Sequence, residues 1–310
     1  MYFPLYSNKS LMFKQSTMLN KTSKREMTTR ENRLNVAVVI PCFNNEKSIA
    51  SVVSKCIEFF DTVIVVNDGS IDSTAVNAME AGAYVITHST NLGKGAAMKT
   101  AAQNVDAEIL IFIDGDGQHD PEDIHKLVEP IIQGKADCVI GSRFLSQSKT
   151  SCPPLSRKLA NYSASFTISL VISIVEPTIA FFKRGTIVKN SQVATQKSKL
   201  KKNTKSVLNG AEYRILNGKI KWITDCTSGL RAIKLDSFKK LNLVSDRYEI
   251  ETEMIFELAK NHLIIAETSC SCAWQGSSSN LSVAKDGLKT LGLVIKKVFK
   301  DSETQNINTK

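Results

Sequence analysis

The chain is poor in the residues that build soft-metal centres and disulfide-stapled folds. Its four histidines are dispersed, which argues against a histidine-rich metal centre. Its seven cysteines (Cys42, Cys56, Cys138, Cys152, Cys226, Cys270, Cys272) are odd in number and lack zinc spacing. Reduced thiols in a cytosolic compartment fit them best. The N-terminus has no signal-peptide architecture, because its apolar residues are broken by Lys and Asn. Long apolar runs are scarce too. Residues 163–182 come nearest to the roughly 20 apolar residues of a membrane span, but Glu176-Pro177 and several Ser/Thr interrupt them. A buried or interfacial helix is expected there. Gly-x4-Gly-Lys-Ser/Thr is absent, and no Gly-x-Gly-x-x-Gly follows the first strand, so a P-loop and a dinucleotide fingerprint are excluded.

What is present is an uneven charge. The net charge is +10. Residues 1–34 hold seven Lys/Arg against two Glu, residues 183–221 eleven against one Glu, and residues 281–300 five Lys against one Asp. The remainder is therefore acidic. A nucleic-acid binder would place its basic residues on the folded module beside stacking aromatics, so nucleic acid is not an expected partner. Basic edges on an acidic body suit an anionic membrane surface. Residues 1–34 are polar and aperiodic and read as a disordered basic extension. Residues 183–221 read as a basic surface insertion. Residues 281–300 form an amphipathic basic helix, with Leu288, Leu291, Ile295, Val298 and Phe299 on an apolar stripe and Lys285, Lys289, Lys296 and Lys300 mainly elsewhere. Interfacial binding is one reading of that stripe, and packing on the core is the other.

Between these flanks, residues 35–275 alternate strand and helix. Strands are predicted at Val36–Ile40, Thr62–Val66, Tyr84–Thr87, Ile109–Ile113, Cys138–Ile140, Leu230–Ile233 and Leu263–Thr268. Helices are predicted at Ser48–Phe60, Ser73–Ala81, Gly95–Asn104, 121–133 and Ile250–Lys260. Repeated βα units of this length specify one α/β domain with a mostly parallel sheet and helices on both faces.

The most informative stretch runs from Ile109 to Pro121. An apolar strand ends abruptly in Asp114-Gly115-Asp116-Gly117-Gln118. The carboxyl ends of such strands are where open α/β sheets bind ligands. Two carboxylates on glycine-freed backbone can turn onto one hard cation, Mg2+ or Mn2+, which usually shares its oxygens with a substrate phosphate. An acidic turn with a helix cap is the plainer reading, and Asp120-Pro121 has the form of a cap and first helical position. An EF-hand loop is excluded, because its glycine position is His119 and its closing glutamate position is His125. Three more loops follow strands on the same edge: Pro41-Cys42-Phe43-Asn44-Asn45-Glu46, Asn67-Asp68-Gly69-Ser70 and Asn91-Leu92-Gly93-Lys94-Gly95. Asp68 is placed to accept from ribose hydroxyls or base N–H. Lys94, at a helix start, either opposes phosphate charge or is a solvated loop lysine. Asp72-Ser73 reads as a helix cap.

These motifs, with Gly141-Ser142-Arg143-Phe144, Ser228-Gly229-Leu230-Arg231-Ala232 and Tyr248-Glu249-Ile250-Glu251-Thr252-Glu253, resemble family 2 glycosyltransferases of GT-A fold. Within that family the chain is most similar to the dolichyl-phosphate mannosyltransferase-like polyprenyl-phosphate sugar synthases. The resemblance covers about residues 35–162 and 222–300. It implies a Rossmann-like GT-A domain, a metal held by Asp114, Asp116 and Gln118, and a nucleotide site lined by Pro41, Phe43, Asn44, Glu46, Asp68, Lys94 and Asp114. It implies Arg143 and Arg157 at an acceptor phosphate and Arg231 near the donor phosphates. Asn45 stands where the family usually has Glu, and Leu230 where it usually has Phe. The implied activity is inverting, metal-dependent transfer from GDP-mannose or a UDP-hexose to a polyprenyl phosphate, by a peripheral protein on the cytoplasmic membrane face. A saccharide hydroxyl acceptor is the alternative. It would need a carboxylate base, for which Glu251 and Glu253 are the candidates unless they form a solvated helix face. A non-catalytic scaffold of the same fold is the reading from another class.

Overall fold

The computed structural model describes residues 35–145, 147–149, 158–159, 161–170, 205–208, 211–216, 222–273, 292 and 297. The expectations for residues 1–34, Arg157, residues 171–182 and most of 183–221 and 281–300 lie outside them.

Among the described residues, nine strands form one sheet in the order β3-β2-β1-β4-β8-β5-β9-β7-β6. They are β1 (Val36–Cys42), β2 (Thr62–Asn67), β3 (Tyr84–Thr87), β4 (Ile109–Phe112), β5 (Cys138–Ser142), β6 (Lys205–Leu208), β7 (Ala211–Leu216), β8 (Arg231–Lys234) and β9 (Ile265–Ser269). The helices are α1 (Ile49–Phe59), α2 (Thr74–Glu80), α3 (Lys94–Asn104) and α4 (Ile124–Ile132), followed by α5 (161–170), α6 (Leu235–Lys239) and α7 (Ile250–Lys260). Among the described residues, no helix is long and apolar enough to cross a membrane.

The strand alternation sorts the core onto two faces. Ala37 and Val39 of β1 pack in one cluster with Ala97, Met98 and Ala101 of α3 and Met254, Ile255 and Leu258 of α7. Val38 and Ile40 point to the other face, toward Ile49, Val52, Val53 and Cys56 of α1 and Ile124, Leu127 and Val128 of α4. The α1 set repeats at helical spacing, so each of its aliphatic side chains is buried at about 1.5–3 kcal/mol.

Strand β1 runs parallel to β2 and β4, and β5 runs parallel to β9. Strand β8 sits between β4 and β5 and is antiparallel to both. The carboxyl ends of β1, β2, β4 and β5 and the loop entering β8 therefore share one edge. That edge collects every motif loop of the sequence.

Within the segment 183–221, read as a basic insertion, two strands are described. Its residues 205–208 and 211–216 pair with each other, and β7 adds antiparallel to β9. Backbone pairing extends the sheet there without an apolar pattern to announce it.

Candidate active site

The site begins where β4 ends. Asp114 and Asp116 leave the sheet on a glycine-interrupted loop, which Ser48 Oγ holds by donating to the Gly115 carbonyl at 2.6 Å. Asp116 Oδ1 accepts from the Gln118 backbone N–H at 3.0 Å. The loop then enters a 3-10 turn, Pro121–Asp123, capped by Asp120 accepting from Glu122 N–H at 3.2 Å. The capping role read from Asp120-Pro121 thus coexists with the acidic pair.

Lys94 opens α3 and its side chain is only 10% exposed. Its ammonium bonds both Asp114 and Glu251, so it is not a solvated loop lysine. Burial disfavours its charge, but Asp114 and then Glu251 override this and hold Lys94 protonated above its ordinary range. Burial likewise opposes ionisation of Asp114, and Lys94 overrides it and holds that carboxyl below its ordinary value. Asp116 behaves in the opposite way, because burial and then the Asp114 charge push its carboxyl up. Two carboxylates thus crowd one site with one ammonium between them and Glu251.

Backbone geometry makes that approach possible. Gly93 has φ +105°, and a Cβ there would lie 2.2 Å from the Asp246 carbonyl oxygen. Gly229, in the loop entering β8, would place a Cβ 2.0 Å from Asp114 Oδ2. Gly93 admits only glycine, and a side chain at Gly229 would have to displace the Asp114 carboxylate.

Several residues expected to face ligand instead tie loops together. Asp68 is buried; its Oδ1 meets His88 Nδ1 at 2.7 Å and Leu92 N–H at 2.9 Å, and its Oδ2 accepts from Gly93 N–H at 2.7 Å. It fixes the loop that presents Lys94, with both oxygens engaged within the protein. Asn44, at φ +53°, and Glu46 knit the loop after β1 to the loop after β2. Asn44 Oδ1 accepts from Ile71 N–H at 3.1 Å and Glu46 Oε2 from Ser73 N–H at 3.3 Å. Pro41 lies within β1 opposite Val66, whereas Phe43 is 40% exposed on the same edge. Asp72 precedes the cap residue of α2, Ser73, and accepts from Thr74 N–H at 3.0 Å.

Arg231 is the residue expected near donor phosphates. Its guanidinium is buried and donates to the carbonyls of Ser228 at 2.7 Å, Cys226 at 2.7 Å and Glu251 at 2.5 Å. It bolts the loop entering β8 to the start of α7. Arg143 follows β5 and forms a two-pronged pair with Asp225, Nε to Oδ2 at 2.7 Å and Nη2 to Oδ1 at 2.9 Å. Its guanidinium also lies 5.7 Å from the Phe144 ring centroid. Glu251 and Glu253 do not form a solvated face; both are buried. Glu251 joins the site through Lys94, and Glu253 points away from it. His119 is buried beside the acidic pair, and burial with the nearby Arg143 charge pushes its imidazole down to about 4, so it is neutral at pH 7.

Asp225 and Lys297 were not among the predicted residues. Asp225 lies 82 residues from Arg143 with no motif linking them, so only the fold reveals the pair.

The hard, acidic donor set fits a divalent cation such as Mg2+ or Mn2+. Asp114 and Asp116 offer carboxylate oxygens, and the charge crowding that raises Asp116 is what such a cation offsets. No group of three His, Cys, Asp or Glu among the described residues could hold a metal. The remaining ligands would come from water and a substrate diphosphate.

Comparison with known proteins identifies the fold and the family. The Glycosyl transferase family 2 profile matches residues 37–189. Glycosyltransferase AglJ of Haloferax volcanii is 28% identical over 275 residues, covering 87% of this chain and 73% of the relative. UDP-N-acetylglucosamine–dolichyl-phosphate N-acetylglucosaminyltransferase of Methanococcus voltae is 28% identical, covering 75% and 83%. Among solved structures, glucosyl-3-phosphoglycerate synthase from Mycobacterium tuberculosis, bound to Mn2+, UDP-glucose and phosphoglyceric acid, superposes with a TM-score of 0.54. That match has 17% identity and covers 86% of this chain and 80% of the other. The fold is thus that of the GT-A glycosyltransferases, and the chain belongs to glycosyl transferase family 2, a family of sugar-transferring enzymes.

Proposed function

We propose that this chain moves a sugar from GDP-mannose or a UDP-hexose to a polyprenyl (dolichyl-type) phosphate, with inversion, at the cytoplasmic face of a membrane. The observation that carries this reading is the charge cluster on the strand-end edge, where Asp114, Asp116, Lys94 and Glu251 lie together with Arg143 on the neighbouring loop. The relative that acts on dolichyl phosphate supports the acceptor class.

The roles follow from charge. Lys94, held protonated, exchanges a carboxylate partner for oxygens of the leaving diphosphate. Asp114, Asp116 and Gln118 would hold Mg2+ or Mn2+, which would offset the negative charge growing on that leaving group. An acceptor phosphate monoester is already ionised near neutral pH, because its second pKa is about 6. It needs positioning rather than a general base. Arg143 and Arg157 supply guanidinium donors suited to it. The acceptor oxygen bonds to the anomeric carbon as the bond from that carbon to the diphosphate oxygen breaks, so one displacement inverts the centre. Phe43, exposed at the edge, offers a ring for the nucleotide base.

Membranes supplied with labelled GDP-mannose, UDP-glucose and UDP-N-acetylglucosamine test this directly. One donor is expected to transfer label into the organic phase, only with polyprenyl phosphate and a divalent cation present. Asp116→Ala is expected to abolish transfer while the fold persists. Label entering a soluble saccharide, with no need for lipid phosphate, would move the acceptor to a sugar hydroxyl. Full transfer by Asp116→Ala, or in excess chelator, would remove the metal role.

A further inference from the structure

Helix α7 carries acidic residues to two different places. Glu251 reaches the site and bonds Lys94. Glu253 and Glu257, one helical turn apart, turn to the other side and are buried at 0% and 2% exposure. Two like charges so placed repel each other and are costly to desolvate. Lys297, 40 residues beyond Glu257 in the chain, closes this gap. Its ammonium lies 2.7 Å from a carboxylate oxygen of each glutamate and also donates to the Asn242 carbonyl.

Glu253 does more than receive that charge. Its two oxygens accept from the N–H groups of Val244 and Ser245, each at 2.9 Å. The residues that follow form the seat of α3. The Asp246 carbonyl accepts from Ala96 N–H at 3.1 Å, and the Asp246 carboxylate accepts from Lys99 at 2.6 Å. Gly93 and Gly95 lie against Asp246 and Ser245 so closely that a Cβ would come within 2.2 and 2.5 Å of their carbonyl oxygens. Lys94 stands between those glycines. One half-buried ammonium thus sits at the root of two supports for Lys94: the helix that carries Glu251, and the 244–246 loop that seats Gly93 and Gly95.

We infer that Lys297 is a positioning residue of the transferase site, holding Lys94 where it meets the donor diphosphate. This rests on the reading that Lys94 faces the donor phosphates. Lys297 touches neither substrate. It acts through packed and hydrogen-bonded groups that are continuous from its ammonium to the site.

A double-mutant cycle of Lys297→Met and Lys94→Met in the full chain tests it, with Mn2+ present and affinities measured for UDP, GDP, UMP and GMP. Lys297→Met is expected to weaken the preferred nucleoside diphosphate roughly tenfold, the scale of coupling between residues in one network. The matching monophosphate, which lacks the second phosphate, is expected to bind as before. The double variant is expected to bind diphosphate no worse than Lys94→Met alone, and Lys297→Arg to restore most of the affinity. If Lys297→Met does not fold, the variant Lys297→Met/Glu257→Gln keeps one carboxylate capped by the two amides and takes its place in the cycle. Additive losses, equal losses for mono- and diphosphate, or unchanged diphosphate affinity would overturn the inference. A Lys94→Met variant with unaltered diphosphate affinity would instead overturn the parent reading of Lys94, and this inference with it.

Discussion

Asp68 Oδ2 accepts from the Gly93 backbone N–H at 2.7 Å, across 25 residues of chain. The carboxylate that ends β2 thereby sets the conformation of the loop that presents Lys94. Its other oxygen serves Leu92 N–H and His88. Asp68→Ala leaves buried donors unpaired and is expected to cost about 3 kcal/mol of stability. Chemical denaturation measures this. Turnover is expected to fall with it, because Gly93 loses its anchor; an Asp68→Ala enzyme of wild-type stability and rate would contradict the assignment.

Gly229 lies against the Asp114 carboxylate, with room for hydrogen alone. Gly229→Ala must displace that carboxylate by more than an ångström. Turnover is expected to fall about a hundredfold, as misplacement on that scale does. Steady-state kinetics beside a denaturation curve separates this from unfolding, since the substitution sits at the site rather than in the core. Undiminished turnover would show that Asp114 can move without consequence.

Arg143 pairs with Asp225, whose side chain is fully buried. Arg143→Ala strands that carboxylate and is expected to destabilise the fold by about 3–5 kcal/mol. Loss of activity in this variant alone would therefore be ambiguous. Arg143→Ala combined with Asp225→Asn removes the stranded charge and is expected to recover much of the stability. In that double variant the KM for polyprenyl phosphate is expected to rise while the KM for the sugar nucleotide holds. The reverse pattern would assign Arg143 to the donor.

Glu253 gives a pH signature. Burial raises its carboxyl, but the Lys297 bond and the Val244 and Ser245 amides outweigh this and hold it below the ordinary value. A folded pKa below the unfolded value of about 4.3 means that its stabilisation is fully present above that pH. The contribution is lost as pH falls through the folded value. Denaturant titrations between about pH 6 and pH 3 are expected to show a shallower decline for Glu253→Gln than for the wild-type chain. Identical slopes would mean that Lys297 and the two amides do not hold this carboxylate.

Much of this arrangement was legible in the sequence. The βα period located β1 to β5, α1 to α4 and α7 to within a few residues, because each element buries an apolar face at its own spacing. The acidic loop after β4 was readable because an apolar strand broke abruptly into carboxylates. Strands β6 and β7 were hidden, since the pairing of β6 with β7 and of β7 with β9 is a backbone property within a Lys- and Asn-rich stretch. The Arg143–Asp225 and Glu253–Lys297 pairs were hidden for another reason. Each joins residues distant in the chain, and an acidic helix start such as α7 reads as solvated until its partners are known. Asp68, Asn44 and Glu46 were expected to line a nucleotide, and only the structure shows that their atoms hold neighbouring loops.

The sheet order has a consequence for how copies of this chain behave when crowded. Its two outermost strands, β3 and β6, are four residues each. A border strand offers its free N–H and C=O groups to any passing chain, and the hazard grows with its length. Here the longer strands β1, β2 and β9 are all flanked on both sides. The seven-residue β1, with its run of Val and Ile, is the most adhesive segment of the fold and lies two strands in from the nearer border. Among the described strands, the open borders are thus two short rungs, and strand addition at β1 would first require unzipping the sheet toward it.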